Sequence, residues 1–455
     1  MSSVHRIVFC VLGVLLSWGV VGTAAAQPSL TPAQMREDLT VLREKLGTLD
    51  RSFDDDQRLR FEELVQETAQ TADRLDPARF QLSVSRAVAV AGNGHTNASR
   101  GLFLHTLPLR LWWFADGLYV IKAHPDFAEL LGARVEGFGN LTAEQALARA
   151  APYISGTDVN VRVKSPASLI ALELLREIGA TRSDEHVQVT FTPRDGKRRA
   201  VSLGVSPTED PEPRRSSYAA LIPSDTALVG RWPHVLDPVV TRPLIYQPDV
   251  DLQAEWLLAN PGLLYLRSNR IFGTVENRYG LMEKLVNLLH AEIAPKRPPY
   301  IIVDLRLNGG GDFFNTIAFA QTLPALLPSG GRIYVLVGPV TFSAALVTAA
   351  LLRQHGGDKV LLVGEPMGDA ETFWSEGVPF DLPNSRIRVN PALWKWSLHE
   401  PCTDSARCYF AGEVLGPHGV TLEPDVEVKA AFADYAAGRD LVLEVVLQRI
   451  ASSTH

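Results

Sequence analysis

The chain is 455 residues long, with 44 Lys and Arg against 51 Asp and Glu and a formal net charge of −7 at pH 7. Hydrophobic residues make up 46% and charged residues 21%, and the 34 Gly and 30 Pro follow no fixed period. These proportions exclude a disordered or collagen-like chain, and the acidic balance lacks the basic footprint of a nucleic-acid binder.

The first segment reads as an address. His5 and Arg6 precede an apolar run from Ile7 to Val21, followed by Thr23-Ala24-Ala25-Ala26-Gln27. That order predicts a signal peptide over residues 1–26, cleaved after Ala26, and therefore a periplasmic or secreted protein with no integral membrane span once the leader is removed. Export favours one disulfide between Cys402 and Cys408 over two free thiols, and no metal site is expected there.

Residues 27–100 read as a helical region. Thr31-Pro32-Ala33-Gln34 is an N-cap, a first-turn proline and a capping-box glutamine, and Met35, Leu39, Leu42, Leu46 and Leu49 recur at helical spacing. Asp54-Asp55-Asp56 opens a second helix running to about Leu75, and Asp76-Pro77 opens a third that stops at Gly92-Asn93-Gly94. Residues 101–262 read as a β-rich middle region. A hairpin is expected around Asp116-Gly117, with further strands at Arg134–Phe138, His186–Thr192 and Arg199–Val205. The Pro-rich stretch 206–262 reads as connecting structure.

Residues 263–455 alternate in type. Strands are expected at Leu263–Asn269, Tyr300–Arg306, Arg332–Val337 and Lys359–Gly364, and helices at Glu276–Ile293, Phe313–Leu326 and Ser343–His355. This calls for a mainly parallel sheet with reactive groups beyond the carboxyl ends of its strands. The uncharged run Tyr334–Leu352 is broken by Gly338-Pro339, so it reads as a strand, a turn and a buried helix rather than a bilayer span. Two segments fall at strand ends: Leu307-Asn308-Gly309-Gly310-Gly311-Asp312 and Gly338-Pro339-Val340-Thr341-Phe342-Ser343. The first is neither a dinucleotide-binding nor a P-loop pattern, so no cofactor is expected.

Taken together, Asp304-Leu305-Arg306-Leu307-Asn308-Gly309-Gly310-Gly311-Asp312, Thr341-Phe342-Ser343-Ala344-Ala345 and Val363-Gly364-Glu365 resemble the tail-specific (C-terminal-processing) serine protease family. Pro424-Asp425-Val426 and the stretch from Phe432 to Asp440 extend the resemblance, and Gly92-Asn93-Gly94-His95-Thr96 is similar to that family's Asp-Gly-His-Thr segment, with Asn93 in place of the acid. The resemblance implies an α/β fold with a crotonase-like (ClpP/crotonase) core, a serine nucleophile at Ser343 and a peptide or protein substrate, with oligomers possible. Asp369 stands where Ser/Lys members carry their lysine, so the tricorn-like Ser/His/Glu chemistry is the expected one. In it His95 is the base and Glu400, almost sixty residues after Ser343, is the third member, with Glu365 and Glu376 as rivals. The oxyanion donors implied are the backbone N–H groups of Ala344 and of Gly309 or Gly310. His399 reads as exposed loop and Thr96 as a strand-end hydroxyl. Residues 130–138 are faintly similar to a PDZ module, with a plain strand pair equally expected. A catalytically silent scaffold and a non-peptidase hydrolase remain the alternatives.

Overall fold

The computed structural model describes residues 30–99, 105–206, 217–224, 229–248, 250–257 and 262–453. The expected leader, residues 1–26, lies outside them. No helix among the described residues is long and apolar enough to cross a membrane.

Three helices come first: α1 (Pro32–Leu49), α2 (Asp55–Thr71) and α3 (Pro77–Ala89). Their starts follow from their caps. Thr31 and Gln34 exchange side-chain-to-backbone bonds, Asp54 and Gln57 repeat the exchange, and Asp76 caps α3 ahead of Pro77. Met35, Leu39, Leu42 and Leu46 are buried against Phe61 and Phe80, whereas Leu49, one turn further, is at the surface. Asp38, fully buried on α1, accepts the backbone N–H groups of Asn384 and Ser385 at 2.9 and 2.8 Å, which ties the helices to a distant hairpin. After the Gly92–Gly94 turn comes β1 (Asn97–Ser99).

The middle region is an antiparallel sheet of β2 (Leu109–Phe114), β3 (Gly117–Ala123), β4 (Arg134–Phe138), β6 (His186–Thr192) and β7 (Arg199–Gly204), in that order, with β5 (Leu141–Thr142) beside β4. Helices α4 (Ala143–Ala150), α5 (Asp158–Ser168) and α6 (Leu172–Glu177) accompany it. The stretch expected as connecting structure contains β8 (Gln253–Trp256), a short, half-exposed edge strand too brief to betray itself by alternation.

The last part is a sheet ordered β17-β12-β11-β10-β9-β8, parallel except for β8. Its strands are β9 (Leu263–Arg267), β10 (Tyr300–Asp304), β11 (Arg332–Val337), β12 (Val360–Gly364) and β17 (Val426–Glu427). Between them run α7 (Gly280–Leu288), which passes through a π turn into α8 (Ala294–Lys296), then α9 (Ile317–Leu326) and α10 (Ala344–Gly356). The first of these helices starts later than its periodicity predicts, because Thr274 and Asn277 close a turn on each other first. The expected helical start at Phe313 is a single 3-10 turn, set by the Asp312 carboxylate accepting the Phe314 N–H.

Strand residues alternate between two apolar layers. Leu264, Leu266, Ile301, Val303, Ile333 and Val335 pack on one side with α7, α9 and α10. Leu263, Tyr265, Ile302, Tyr334 and Leu336 pack on the other with α13 (Leu441–Ser453), numbered after α11 (Phe410–Leu415) and α12 (Phe432–Ala436). A sheet covered on both faces requires such near-continuous apolar strands. Between β12 and β17 lie two small antiparallel pairings: β13 (Thr372–Ser375) with β16 (Trp394–Ser397), and β14 (Phe380–Asp381) with β15 (Arg388–Asn390), which also pairs with β1. Cys402 and Cys408 form a disulfide in the loop after β16.

Candidate active site

Ser343 lies between β11 and α10, with φ 55° and ψ −125°. A non-glycine residue with such a backbone is strained, and it persists only where its surroundings hold it. Here the Thr341 hydroxyl donates to Leu305 O at 2.8 Å and accepts the Gly338 N–H at 3.0 Å, and the Phe342 N–H donates to Asn308 O at 3.2 Å. The serine turn is thus laced to the glycine loop after β10. Gly310, at φ 98°, is the point of closest approach: a Cβ there would sit 2.8 Å from Ser343 Cβ. Only glycine fits.

His95 reaches Ser343 from the turn after α3, its Nε2 2.9 Å from Ser343 Oγ. The imidazole is stacked between Phe342 and Phe373, with ring centroids 4.6 and 5.4 Å away. Asn93 locks the turn to β13: its side-chain amide donates to Trp374 O at 3.0 Å and accepts the Trp374 N–H at 3.3 Å. An aspartate could make only the second bond, so the amide suits this position. Thr96 is not a histidine partner; its hydroxyl donates at 2.7 Å to the buried Asp50 carboxylate, which also receives the Ala392 N–H.

The carboxylate facing the other imidazole nitrogen is Asp369, with Oδ2 3.6 Å from His95 Nδ1. Glu400, the expected third member, does not stand at this position. Glu400 is exposed beyond β16, where its backbone carbonyl accepts the Ser397 hydroxyl. Glu376 accepts from the Ser375 hydroxyl at 3.3 Å, and Glu365 faces a separate cavity. Asp369 arrives because its loop folds back on the serine turn, the Gly368 N–H donating to Thr341 O at 3.0 Å and the Thr157 hydroxyl to Gly368 O at 3.0 Å. Spacing borrowed from distant relatives could not anticipate that fold-back. His399 is exposed, as expected.

A lysine does enter the site, from a segment the sequence reading passed over. Lys164 on α5 donates to Ser155 O at 2.9 Å and to Gly94 O at 3.4 Å, and lies 5.9 Å from the centre of the Phe342 ring. In the sequence it is one of two cations, with Arg162, among Val161, Val163 and Pro166, and nothing there marks it out.

Burial governs the charges here. It pulls His95 down to about 3, with the nearby Lys164 cation adding to the effect, so the resting imidazole is neutral. It pushes the Asp369 carboxyl up to about 7 and draws the Lys164 ammonium down to about 8. Of the expected oxyanion donors, Gly310 is committed elsewhere, its N–H donating to Asn308 Oδ1 at 2.9 Å. Gly309 and Ala344, the latter in the first turn of α10, remain.

No family model matches the sequence, and no curated protein does. Solved structures do resemble this one. Mature CPAF complexed with lactacystin aligns over 92% of this chain and 99% of its own at a TM-score of 0.58, with 12% sequence identity. A serine-to-alanine variant of CPAF aligns over 91% and 96% at 0.55, again with 12% identity. The photosystem II D1 C-terminal processing protease aligns over 90% and 98% at 0.35, with 12% identity. The chain therefore shares its fold with mature CPAF.

Proposed function

We propose that the protein is an exported serine peptidase with Ser343 as nucleophile and His95 as general base. The observation that carries this reading is the 2.9 Å approach of His95 Nε2 to the hydroxyl of a serine held at positive φ. With Nε2 accepting, Nδ1 carries the ring proton and faces Asp369. His95 takes the Ser343 proton as Oγ attacks the substrate carbonyl, and the oxyanion meets the N–H groups of Ala344 and Gly309. The tetrahedral intermediate collapses as His95 Nε2 returns that proton to the departing amine, leaving an acyl-enzyme. Water, deprotonated by the same nitrogen, releases the acid. One oxyanion donor typically supplies about 3 kcal/mol. Asp369 fixes the tautomer and stabilises the imidazolium, the role that the sequence assigned to Glu400.

Export is supported by the leader-like residues 1–26 and by the Cys402–Cys408 disulfide. The division at about residues 100 and 262 is supported by apolar clusters centred in the helical, middle and parallel-sheet regions, although Leu382, Ile387 and Val389 join the helical cluster and a fourth cluster bridges the middle region and the last part. The test is labelling of the purified chain with a fluorophosphonate. The native protein should be labelled and Ser343→Ala should be neither labelled nor active, while unfolding at the same temperature. Full peptide turnover by Ser343→Ala would refute the assignment.

A further inference from the structure

A cavity of about 430 Å³ opens between the middle sheet and the serine turn. Trp112, Trp113 and Phe114 of β2 line one side, and Pro339 and Val340, just ahead of Thr341 and Ser343, line another. Leu307, two residues before Gly309, completes the link to the glycine loop.

Charged side chains at this cavity are unequally matched. Arg306 is held by both Asp304 and Asp440, two carboxylates to one guanidinium. Arg162 makes a bidentate pair with Glu144 at 3.0 and 3.1 Å and lies over the Trp113 ring at 4.0 Å. Lys429 pairs with Glu427 at 2.6 Å. Glu365 alone has no side-chain hydrogen bond or ion pair among the described residues. Burial pushes its carboxyl up to about 6, with the Glu427 carboxylate adding to the rise and the longer-range pull of Lys429 and Arg162 working against it. Each lining cation is therefore already neutralised, and the unmatched group is an anion in an aromatic-walled space.

We propose that this cavity is the subsite for a lysine or arginine side chain of the peptide substrate, with its alkyl stem on the Trp112–Phe114 wall and its cationic head on Glu365. The proposal rests on the peptidase reading for the word substrate. Aromatic faces attract both the methylene stem and the cation, and a partly desolvated carboxylate gains most from a partner that arrives with opposite charge. An acidic side chain would meet Glu365 with like charge and be rejected.

The experiment uses full-length Ser343→Ala protein, which holds peptide without cleaving it, and matched peptides differing only in arginine or its neutral isostere citrulline. Calorimetry at pH 8, where Glu365 is ionised, should show the arginine peptide binding about tenfold or more tightly. In Ser343→Ala/Glu365→Gln that difference should shrink to about twofold, with the thermal transition unchanged, and Glu365→Asp should restore part of it. Equal affinity for the two peptides, or a preference that survives Glu365→Gln, overturns the subsite. Turnover of the arginine peptide by the unaltered chain reads the peptidase assignment separately: selective binding without turnover would count against that assignment and support the subsite.

Discussion

Asp369 Oδ2 stands 3.6 Å from His95 Nδ1, and both atoms are buried without a hydrogen-bond partner. A normal N–H···O bond is about 2.9 Å, so the pair is poised short of contact. Unmet polar atoms in a low-dielectric site are costly, and positive charge developing on the imidazole rewards their closure. On the proposed mechanism, that closure accompanies the loss of the Ser343 proton.

Replacing Asp369 by Asn should separate activity from stability. The Asp369 carboxyl is raised to about 7 in the folded chain, above its unfolded value, so the folded state holds the extra proton between the two. Stability contributed by this site therefore falls as pH rises through that window, and the full cost is present above pH 7. Asp369→Asn should be more stable than the native chain at pH 8, by about 1–3 kcal/mol, and equal to it at pH 4. Its kcat should drop by about two orders of magnitude or more. Thermal melts at both pH values and ester hydrolysis check this; a variant destabilised at pH 8 would contradict it.

Lys164 should set where the pH profile rises. Its ammonium, drawn down to about 8 by burial, favours ionised Asp369 while it lasts. The native kcat/KM should rise near pH 7 as Asp369 loses its proton. In Lys164→Met the rise should move to higher pH, because the cation that favoured the carboxylate is gone. An unchanged profile would show Lys164 to be mere packing.

Asn93→Asp, which restores the acid of the family motif, should impair this chain. It places a carboxylate oxygen against Trp374 O, where the amide now donates at 3.0 Å. Loss of that bond and burial of the charge should cost about 2–4 kcal/mol, and kcat should fall as the turn carrying His95 loosens. Denaturant unfolding and single-turnover kinetics would register both effects; a more active variant would refute this account of Asn93.

Gly310→Ala tests the closeness of the glycine loop and the nucleophile. The added methyl would sit 2.8 Å from both Phe342 O and Ser343 Cβ, and the position is at positive φ. Fluorophosphonate labelling should slow by about a hundredfold or more, since displacing the nucleophile by about 1 Å is enough for that. Gly330→Ala, also at positive φ but with nothing within 4 Å, should leave labelling unchanged. Equal labelling of the Gly310 variant would refute the contact.

The legible parts of the molecule were those where local chemistry and tertiary demand agree. Caps at Thr31, Asp54 and Asp76, and the apolar strands of the parallel sheet, state their structure in a few consecutive residues. Ser343 and His95 were visible because each sits in a motif built on glycines that a close approach requires. Asp369 was seen as a departure at the lysine position and not as the histidine's partner, since that role depends on a loop folding back through Gly368. Lys164 carries no motif at all: it belongs to a helix whose own pattern is one of packing, and only the docking of α5 against the serine turn brings it near. Edge strand β8 was missed for want of length.

The residues around the Ser343 hydroxyl come from five stretches of chain (the His95 turn, α5, the glycine loop, the serine turn and the Asp369 loop), and the histidine bonded to it lies 248 positions earlier. Pairing across such a span is slow, since loop-closure entropy is lost before any contact rewards it. A chain still emerging during synthesis exposes His95 long before Ser343 exists, and Ser343 before α13 has covered its face of the sheet. On the peptidase reading, the nucleophile and its base therefore meet only once the whole chain is assembled.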